Sequence, residues 1–378
     1  MPSAEVVRVT DEHAELLADF LRKTWDSAAT AESVLNSRRK NRERNAHGAG
    51  RDIPTFLFVL DGRAIGHLTT IPFNLLANGR EYPCYWMKGF WVLPEHQNGP
   101  VGFMLVKEAI RHVPLSMSSV VQVAPRRLFE KMGFKEIGTL PNAIRILNSR
   151  NVLQCMDWAS VEFEKLPGFV RKGLTLCKHP LLSAGIGMTA DVGMRTFARL
   201  AGTQSGRTVK EVSSLTSEEI DALWHKMKIA ILAAPVRDSA YMQRRFGTPE
   251  EPKGYRFVEV RQEGELSAVA VIRPPGDEGD ERLRGLRIAT LSDLICAKQD
   301  RSSMLAAIEG AESVARECGA DAILCSASHP LVQQSLRRRL YLNFSKSIHL
   351  LVRDPDATIG ARPSIEDWWL TRGDGYSD

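Results

Sequence analysis

The chain has 378 residues, 43% of them hydrophobic and 25% charged, ordinary globular values that exclude wholesale disorder. Its length exceeds one ordinary core and points to two domains. A net charge of +5, from 50 Lys and Arg against 45 Asp and Glu, permits an anionic ligand but lacks the clustered basicity of a dedicated nucleic-acid binder, so no nucleic-acid partner is expected.

The first elements are a strand at Val6, Val7 and Val9, an N-cap signal at Thr10-Asp11, and a helix carrying Ala14, Leu16, Leu17, Phe20 and Leu21. A basic helical segment spans 38–44. The apolar runs 55–60 and 64–71 meet at Asp61-Gly62, and 73–77 and 82–93 meet at Asn78-Gly79; both dipeptides are hairpin turns, predicting an antiparallel meander. Pro94 ends the long strand, residues 97–102 lead into a helix over 101–110, a strand follows at 118–123, and a helix over 125–132 closes at Gly133 with Phe134 as its apolar contact. Strands at 135–139 and 143–147 complete a mixed α/β unit, residues 1–150.

Residues 151–206, interrupted by prolines and glycines, read as a helical connector that includes a helix at 194–200. Its apolar stretch 181–188 fits packing between domains better than a membrane surface. The element order then repeats over 207–352. A strand at 209–212 precedes a helix begun by Thr216 with Glu219 as its capping box; a strand pair over 255–272 turns at Glu263-Gly264. A strand at 285–296, a helix at 301–318, a strand at 320–326, a helix at 330–340 and a final strand at 343–352 follow. Residues 353–378 form a tail in which Trp368-Trp369-Leu370 reads as an anchor, since exposing adjacent tryptophans is unfavourable.

Cys84, Cys155, Cys177, Cys296, Cys318 and Cys325 form no C-x-x-C pair and have no histidine at ligand spacing, so they read as buried thiols of a reducing compartment and no metal is expected. The first residues lack a secretory leader pattern, and nowhere do about 18 apolar residues run together. A cytoplasmic protein without a transmembrane segment is the expectation.

The segment from Phe90 to Gly102 carries the clearest chemistry. A strand breaks at Pro94 and a glycine-containing loop enters a helix, aiming backbone N–H groups and the positive helix end at one point, which suits a phosphate. Taken alone, the loop fits an anion site or a plain helix start equally. Together with Phe129-Glu130-Lys131-Met132-Gly133-Phe134 it resembles the cofactor core of the GNAT superfamily of acyl-CoA-dependent N-acyltransferases. That family's loop, Gln/Arg-x-x-Gly-x-Gly/Ala, is matched at its ends by Gln97 and Gly102, with Pro100 replacing the middle glycine; its later aromatic-Glu-Lys-x-Gly-Phe is matched in full. The resemblance covers most of residues 1–150 and, through the repeated element order, implies two tandem GNAT-like domains, each a mostly antiparallel mixed sheet flanked by helices, the second degenerate.

The resemblance implies that Trp91 and Val92 pair with the pantetheine arm of acetyl-CoA or another acyl-CoA. Gln97, Asn98, Gly99, Val101, Gly102 and Phe103 would cradle its pyrophosphate. An amine acceptor, a small molecule or a sugar, would then attack the thioester directly. Departures are plain: Phe129 stands where many members have a tyrosine that protonates the thiolate, Gln122 where an asparagine is common, and no carboxylate lies within 84–93. The first choices for catalysis are Glu95 and Tyr85, with His96 and Cys84 behind them, each weighed against the ordinary reading as a surface or buried residue. In the second half, residues 297–302 contain no glycine, and Leu340-Tyr341 stands where Gly-Phe is expected. Tyr241 with Arg244, Arg245 and Phe246 fits either part of an acceptor cleft or, more ordinarily, a helix carrying surface arginines. The runs Arg38–Arg44 and Arg337–Arg339 read as solvated faces. The main expectation is an N-acyltransferase; a noncatalytic CoA-binding module and a Fem-type aminoacyl ligase are the alternatives.

Overall fold

The computed structural model describes residues 3–155, 206–248, 253–276, 285–297, 300–357, 359 and 364–374, with 175, 183, 185, 187–189, 191–193 and 196 between the first two stretches. The connector expected over 151–206 lies for the most part outside the described residues.

The N-terminal part runs β1 (Ala4–Arg8), α1 (Ala14–Thr24), α2 (Ala31–Glu43), β2 (Thr55–Leu60), β3 (Arg63–Ala77), β4 (Arg80–Val92), α3 (Val101–His112), β5 (Ser116–Val120), α4 (Val123–Lys131), β6 (Lys135–Ile146) and α5 (Ser149–Cys155). The expected hairpin turns form: Asp61-Gly62 and Asn78-Gly79 take positive φ at both central residues, the type I′ geometry that matches strand twist. Strand β2 lacks a polar break because helices cover both its faces. Phe56 and Phe58 join Leu105 and Val106 of α3 on one side, while Leu57 and Val59 join Leu17 and Phe20 of α1 on the other.

The C-terminal part runs β7 (Arg207–Val212), α6 (Ser217–Lys228), β8 (Ala233–Pro235), α7 (Ser239–Phe246), β9 (Arg256–Gln262), β10 (Glu265–Arg273), β11 (Ile288–Cys296), α8 (Arg301–Glu317), β12 (Ala322–Ser326), α9 (Pro330–Arg338) and β13 (Leu342–Arg353), an order close to that of the N-terminal part except that β8 has no counterpart there. All thirteen strands belong to one sheet, ordered β1-β2-β3-β4-β5-β13-β6-β12-β11-β10-β9-β7, with β8 on the side of β3. Strand β13 therefore lies between β5 and β6, and β6 lies between β13 and β12. Each half lends its last strand to the other.

This exchange corrects the expectation of two strands at 135–139 and 143–147. They are one strand, β6, paired with β13 along most of its length and with β12 over residues 142–146. The apparent break at Leu140-Pro141 is absorbed by an irregularity in β13 between Phe344 and Ile348, which faces the proline that has no N–H to offer. Strand β5 also ends three residues earlier than expected, because α4 already begins at Val123.

The turns after α4 and α9 correspond. Gly133 (φ 89°) is followed by Phe134, whose N–H bonds to Phe129 O at 3.1 Å; Leu340 (φ 61°) is followed by Tyr341, whose N–H bonds to Leu336 O at 3.0 Å. A leucine thus occupies the left-handed position that glycine fills at no steric cost. Trp368 and Trp369 are fully buried, and Trp369 Nε1 donates to Leu294 O at 2.8 Å, as an anchor requires. Cys84, Cys296 and Cys325 are buried and unpaired, while Cys155 and Cys318 are half-buried. Two basic runs are not wholly solvated. Arg38 is buried and bridges Asp11 and Asp52, and Arg339 is buried against Glu312 at 2.7 Å, because each lies on the face of its segment that meets acids from elsewhere in the chain. Among the described residues no helix is long and apolar enough to cross a membrane.

Candidate active site

Strands β4 and β5 pair in parallel only at Tyr85–Ser116, Trp86–Met117 and Met87–Ser118. Beyond that point β4 continues to Val92 but slips register against β3 between His67 and Thr69, with Gly89 at φ 57°. The bulge bends β4 away and opens the sheet. Lys88 Nζ donates to Ser119 Oγ at 2.9 Å just past the last paired residues, linking the strands where they part.

At the end of β4 a 3-10 turn, Pro94–His96, leads through Gln97-Asn98-Gly99-Pro100 into α3. Gln97 Nε2 donates to Val92 O at 3.0 Å and ties the loop to the strand. The first bond of α3 runs from Met104 N to Pro100 O, so the amides of Val101, Gly102 and Phe103 have no acceptor among the described residues. No side chain caps this helix and its first turn holds no acid. A Cβ on Gly102 would lie 2.9 Å from Phe90 Cζ and 3.3 Å from Leu128 Cδ2, so only glycine lets the helix start sit this close to its neighbours. Trp91 and Phe103 are exposed beside the loop, and Trp25 meets Trp91 edge-on at 6.3 Å. An open, positive helix end next to exposed aromatic surface fits a polyanion with an organic arm. The corresponding helix end in the second half is closed. Asp300 accepts from Ser302 N at 2.9 Å and Ser303 N at 3.3 Å, and its carboxylate pairs with Arg207 at 3.0 Å, leaving a negative group where an anion would sit.

A cleft of about 540 Å³ begins at the strand opening and runs between the halves. The first half lines it with His67, Thr69, Trp86 and Lys88; α7 contributes Tyr241, Arg244 and Arg245, and the C-terminal segment contributes Gly373 and Asp374. Loss of water around Lys88, helped by Arg245, pulls its pKa down to about 7. Burial brings His67 to about 4, and because its Nδ1–H donates to Gly89 O at 2.7 Å, Nε2 keeps its lone pair. Burial raises Asp374 to about 6 despite its ion pair with Arg237. Arg237 also bridges to Asp293 at 3.1 Å, and Tyr241 Oη donates to Asp293 Oδ2 at 3.3 Å, so one buried network fixes both α7 and the tail. Among the described residues no group of three or more metal-ligating side chains comes together.

The eight cradle candidates, Trp91, Val92, Gln97, Asn98, Gly99, Val101, Gly102 and Phe103, gather at the end of β4 and the start of α3. The catalytic candidates do not gather at the cleft. Glu95 is exposed on the 3-10 turn with His96 and does not line the cleft. Tyr85 is out of phase with Trp86 and Lys88 along β4, so its ring leaves the strand on the opposite face, edge-on to His47 at 4.7 Å. Cys84 is buried, which drives its thiol pKa far up. Phe129 packs edge-on between Phe90 at 5.7 Å and Phe134 at 4.9 Å. Sequence reasoning passed over Lys88, although it is the one charged residue in the run Tyr82 to Leu93 and that isolation was a readable signal.

The chain has an α/β fold with one mixed sheet opened beside an uncapped helix, and known proteins share this fold. Residues 14–134 match the model of the acetyltransferase (GNAT) family. Saccharomyces cerevisiae N-myristoyltransferase with bound myristoyl-CoA is similar to 93% of this chain and 83% of its own, at 12% identity and TM-score 0.58. A probable N-acyltransferase of Enterococcus faecalis is similar over 94% and 73%, at 12% identity and TM-score 0.56. A GCN5-related N-acetyltransferase of Anabaena variabilis gives 94% and 74%, at 10% identity and TM-score 0.56. No curated protein matches the chain in sequence. The GNAT family model thus matches residues 14–134, and the chain as a whole shares its fold with these structures.

Proposed function

We propose that the protein is an acyl-CoA-dependent N-acyltransferase built from two GNAT-like units, residues 1–150 and 207–352. The first unit holds the acyl donor, acetyl-CoA or a longer acyl-CoA, and the cleft between the units takes an amine. The observation that carries this reading is the uncapped α3 end set directly beyond a strand opening spanned by Lys88 and Ser119. The free amides of Val101, Gly102 and Phe103 would hold the pyrophosphate. Trp91 and Val92 would flank the pantetheine arm, and the Gln97 bond to Val92 O keeps Asn98 and Gly99 in the loop conformation that leaves the helix end open. Asp300 closes the other helix end, so a single donor site is proposed for the chain.

Lys88 is the group best placed to take the amine proton. At a pKa of about 7 it is substantially neutral near neutral pH and can accept a proton, which Glu95 and Tyr85 cannot do from outside the cleft. As the amine nitrogen bonds to the thioester carbonyl carbon, its proton passes to Lys88 Nζ. When the carbon–sulfur bond breaks, the thiolate keeps the electron pair and is protonated through Ser119 Oγ, which lies 2.9 Å from Lys88 Nζ and can relay that same proton. Phe129 has no proton to give, so the relay takes the place of the missing tyrosine.

Calorimetric titration with acetyl-CoA and longer acyl-CoAs tests the donor site. The wild type should bind with one site per chain, and Gly102→Trp, which puts an indole where 2.9 Å separates a Cβ from Phe90, should not. Absence of binding by the wild type at millimolar donor would end this reading.

A further inference from the structure

The cleft wall carries a charge imbalance that acyl transfer alone does not require. Among the described residues its lining holds Arg44, Lys88, Arg244, Arg245 and Lys253 and one carboxylate, Asp374, which is already bound by Arg237 and by Thr371 N at 2.8 Å. Arg245 is also committed, its Nε donating to Gly373 O at 2.9 Å. The Arg244 guanidinium makes no hydrogen bond or ion pair among the described residues. The acid that steadies it electrostatically, Asp238, is occupied in capping α7 through Tyr241 N at 2.7 Å. Lys253, exposed at the rim, donates to the backbone oxygen of Arg244, and Arg44, Arg245 and Lys40 all repel it. Partial burial lowers both groups from their ordinary values.

The Arg244 guanidinium and the Lys253 ammonium lose water and are bonded to no acid among the described residues, which is unfavourable unless something negative enters. The donor's phosphates do not account for them, because none of residues 97–103 lines this cleft. We propose that the acceptor is an amine that also carries an oxyanion, a carboxylate or a phosphate, and that Arg244 and Lys253 hold this group while the amine nitrogen lies beside Lys88. The planar guanidinium of Arg244 suits two-point contact with either oxyanion, and Lys253 adds a point charge. The second half of the chain then serves as acceptor-reading wall, which explains why α7 is locked by the buried network around Arg237. This inference rests on the acyltransferase reading, and its test separates the two.

Thiol release from acetyl-CoA, or from the acyl-CoA that binds best, is followed with matched acceptors: alanine against alaninamide for the carboxylate arm, and phosphoethanolamine against ethanolamine for the phosphate arm. The charged member of at least one pair should have a kcat/KM at least tenfold above its neutral partner. Arg244→Gln should raise KM for that acceptor about 10- to 100-fold, as expected for loss of a charge-assisted pair, with kcat and the neutral acceptor little changed. Arg244→Lys should fall between, and Lys253→Gln, at an exposed position, should give a smaller rise without risk to folding. Donor binding by calorimetry should be unchanged in all three. If the donor binds and thiol is released but neither anion is preferred, or if Arg244→Gln weakens the donor instead of the acceptor, the inference is overturned and the acyltransferase reading stands. If no donor binds, the acyltransferase reading itself has failed.

Discussion

Lys88→Met and Lys88→Arg test the proton path at its centre. Methionine keeps the length of the side chain without a base, and arginine keeps the charge but does not deprotonate. With Lys88 at about 7, the neutral fraction is roughly one-tenth at pH 6 and nine-tenths at pH 8, so wild-type kcat/KM should rise about tenfold across that interval. An aliphatic amine acceptor has its own pKa near ~10, and its reactive free fraction grows about tenfold per pH unit below that, so kcat/KM is expressed on the free-amine concentration to remove this slope. Both variants should lose about 100- to 10,000-fold in kcat, the usual worth of a positioned base, and should lose the rise near pH 7. Stability supplies an independent readout. The folded pKa is depressed below the ordinary 10.5, so between about 7 and 10.5 the unfolded chain holds a proton that the folded chain has lost, and wild-type stability rises with pH through that window. Lys88→Met should therefore gain most over the wild type below pH 7 and progressively less above it in urea melts. A rise near pH 7 that survives in Lys88→Met would refute the assignment.

Three further outcomes follow from named contacts. Arg237→Met leaves Asp293 and Asp374 buried without their cation, and urea unfolding should show a loss of about 3–5 kcal/mol, with Asp293→Asn partly restoring it. Gly133→Ala meets nothing closer than Arg353 Nε at 3.9 Å, yet its φ of 89° should cost about 1–2 kcal/mol in the same assay, so backbone conformation and not space sets the penalty. Asp300→Ala removes the carboxylate from the second helix end and should cost about 1 kcal/mol without creating a second donor site, because residues 297–302 lack glycine; calorimetry should still give one site per chain.

The local grammar of the chain was readable. Asp-Gly, Asn-Gly and Glu-Gly turns lie where the alternating runs stop, because a left-handed pair between two strands is a property of neighbours in sequence. The helix start after Pro94 was readable for the same reason. The exchange of β6 and β13 was not: residues 135–146 show what a strand needs on each face but not which strand lies beside it, and Leu140-Pro141 mimics a turn until the irregularity opposite it is seen. Lys88 was hidden because its importance comes from the parting of β4 and β5 and from Arg245, more than 150 positions away in the chain. Arg339 and Arg38 misled in the same way. A basic run looks solvated until an acid on another element turns out to be buried against it.

The central claim is acyl transfer, and the most direct measurement is a stoichiometric one: thiol released and acylated amine formed, by absorbance and mass spectrometry on the same reaction, with the donor that binds and the charged amine that it serves best. The account predicts one thiol per acylated amine, with turnover that collapses in Lys88→Met while donor binding persists. Donor binding with no thiol release across the amine panel would contradict it and leave a GNAT-fold module that binds its ligand without chemistry.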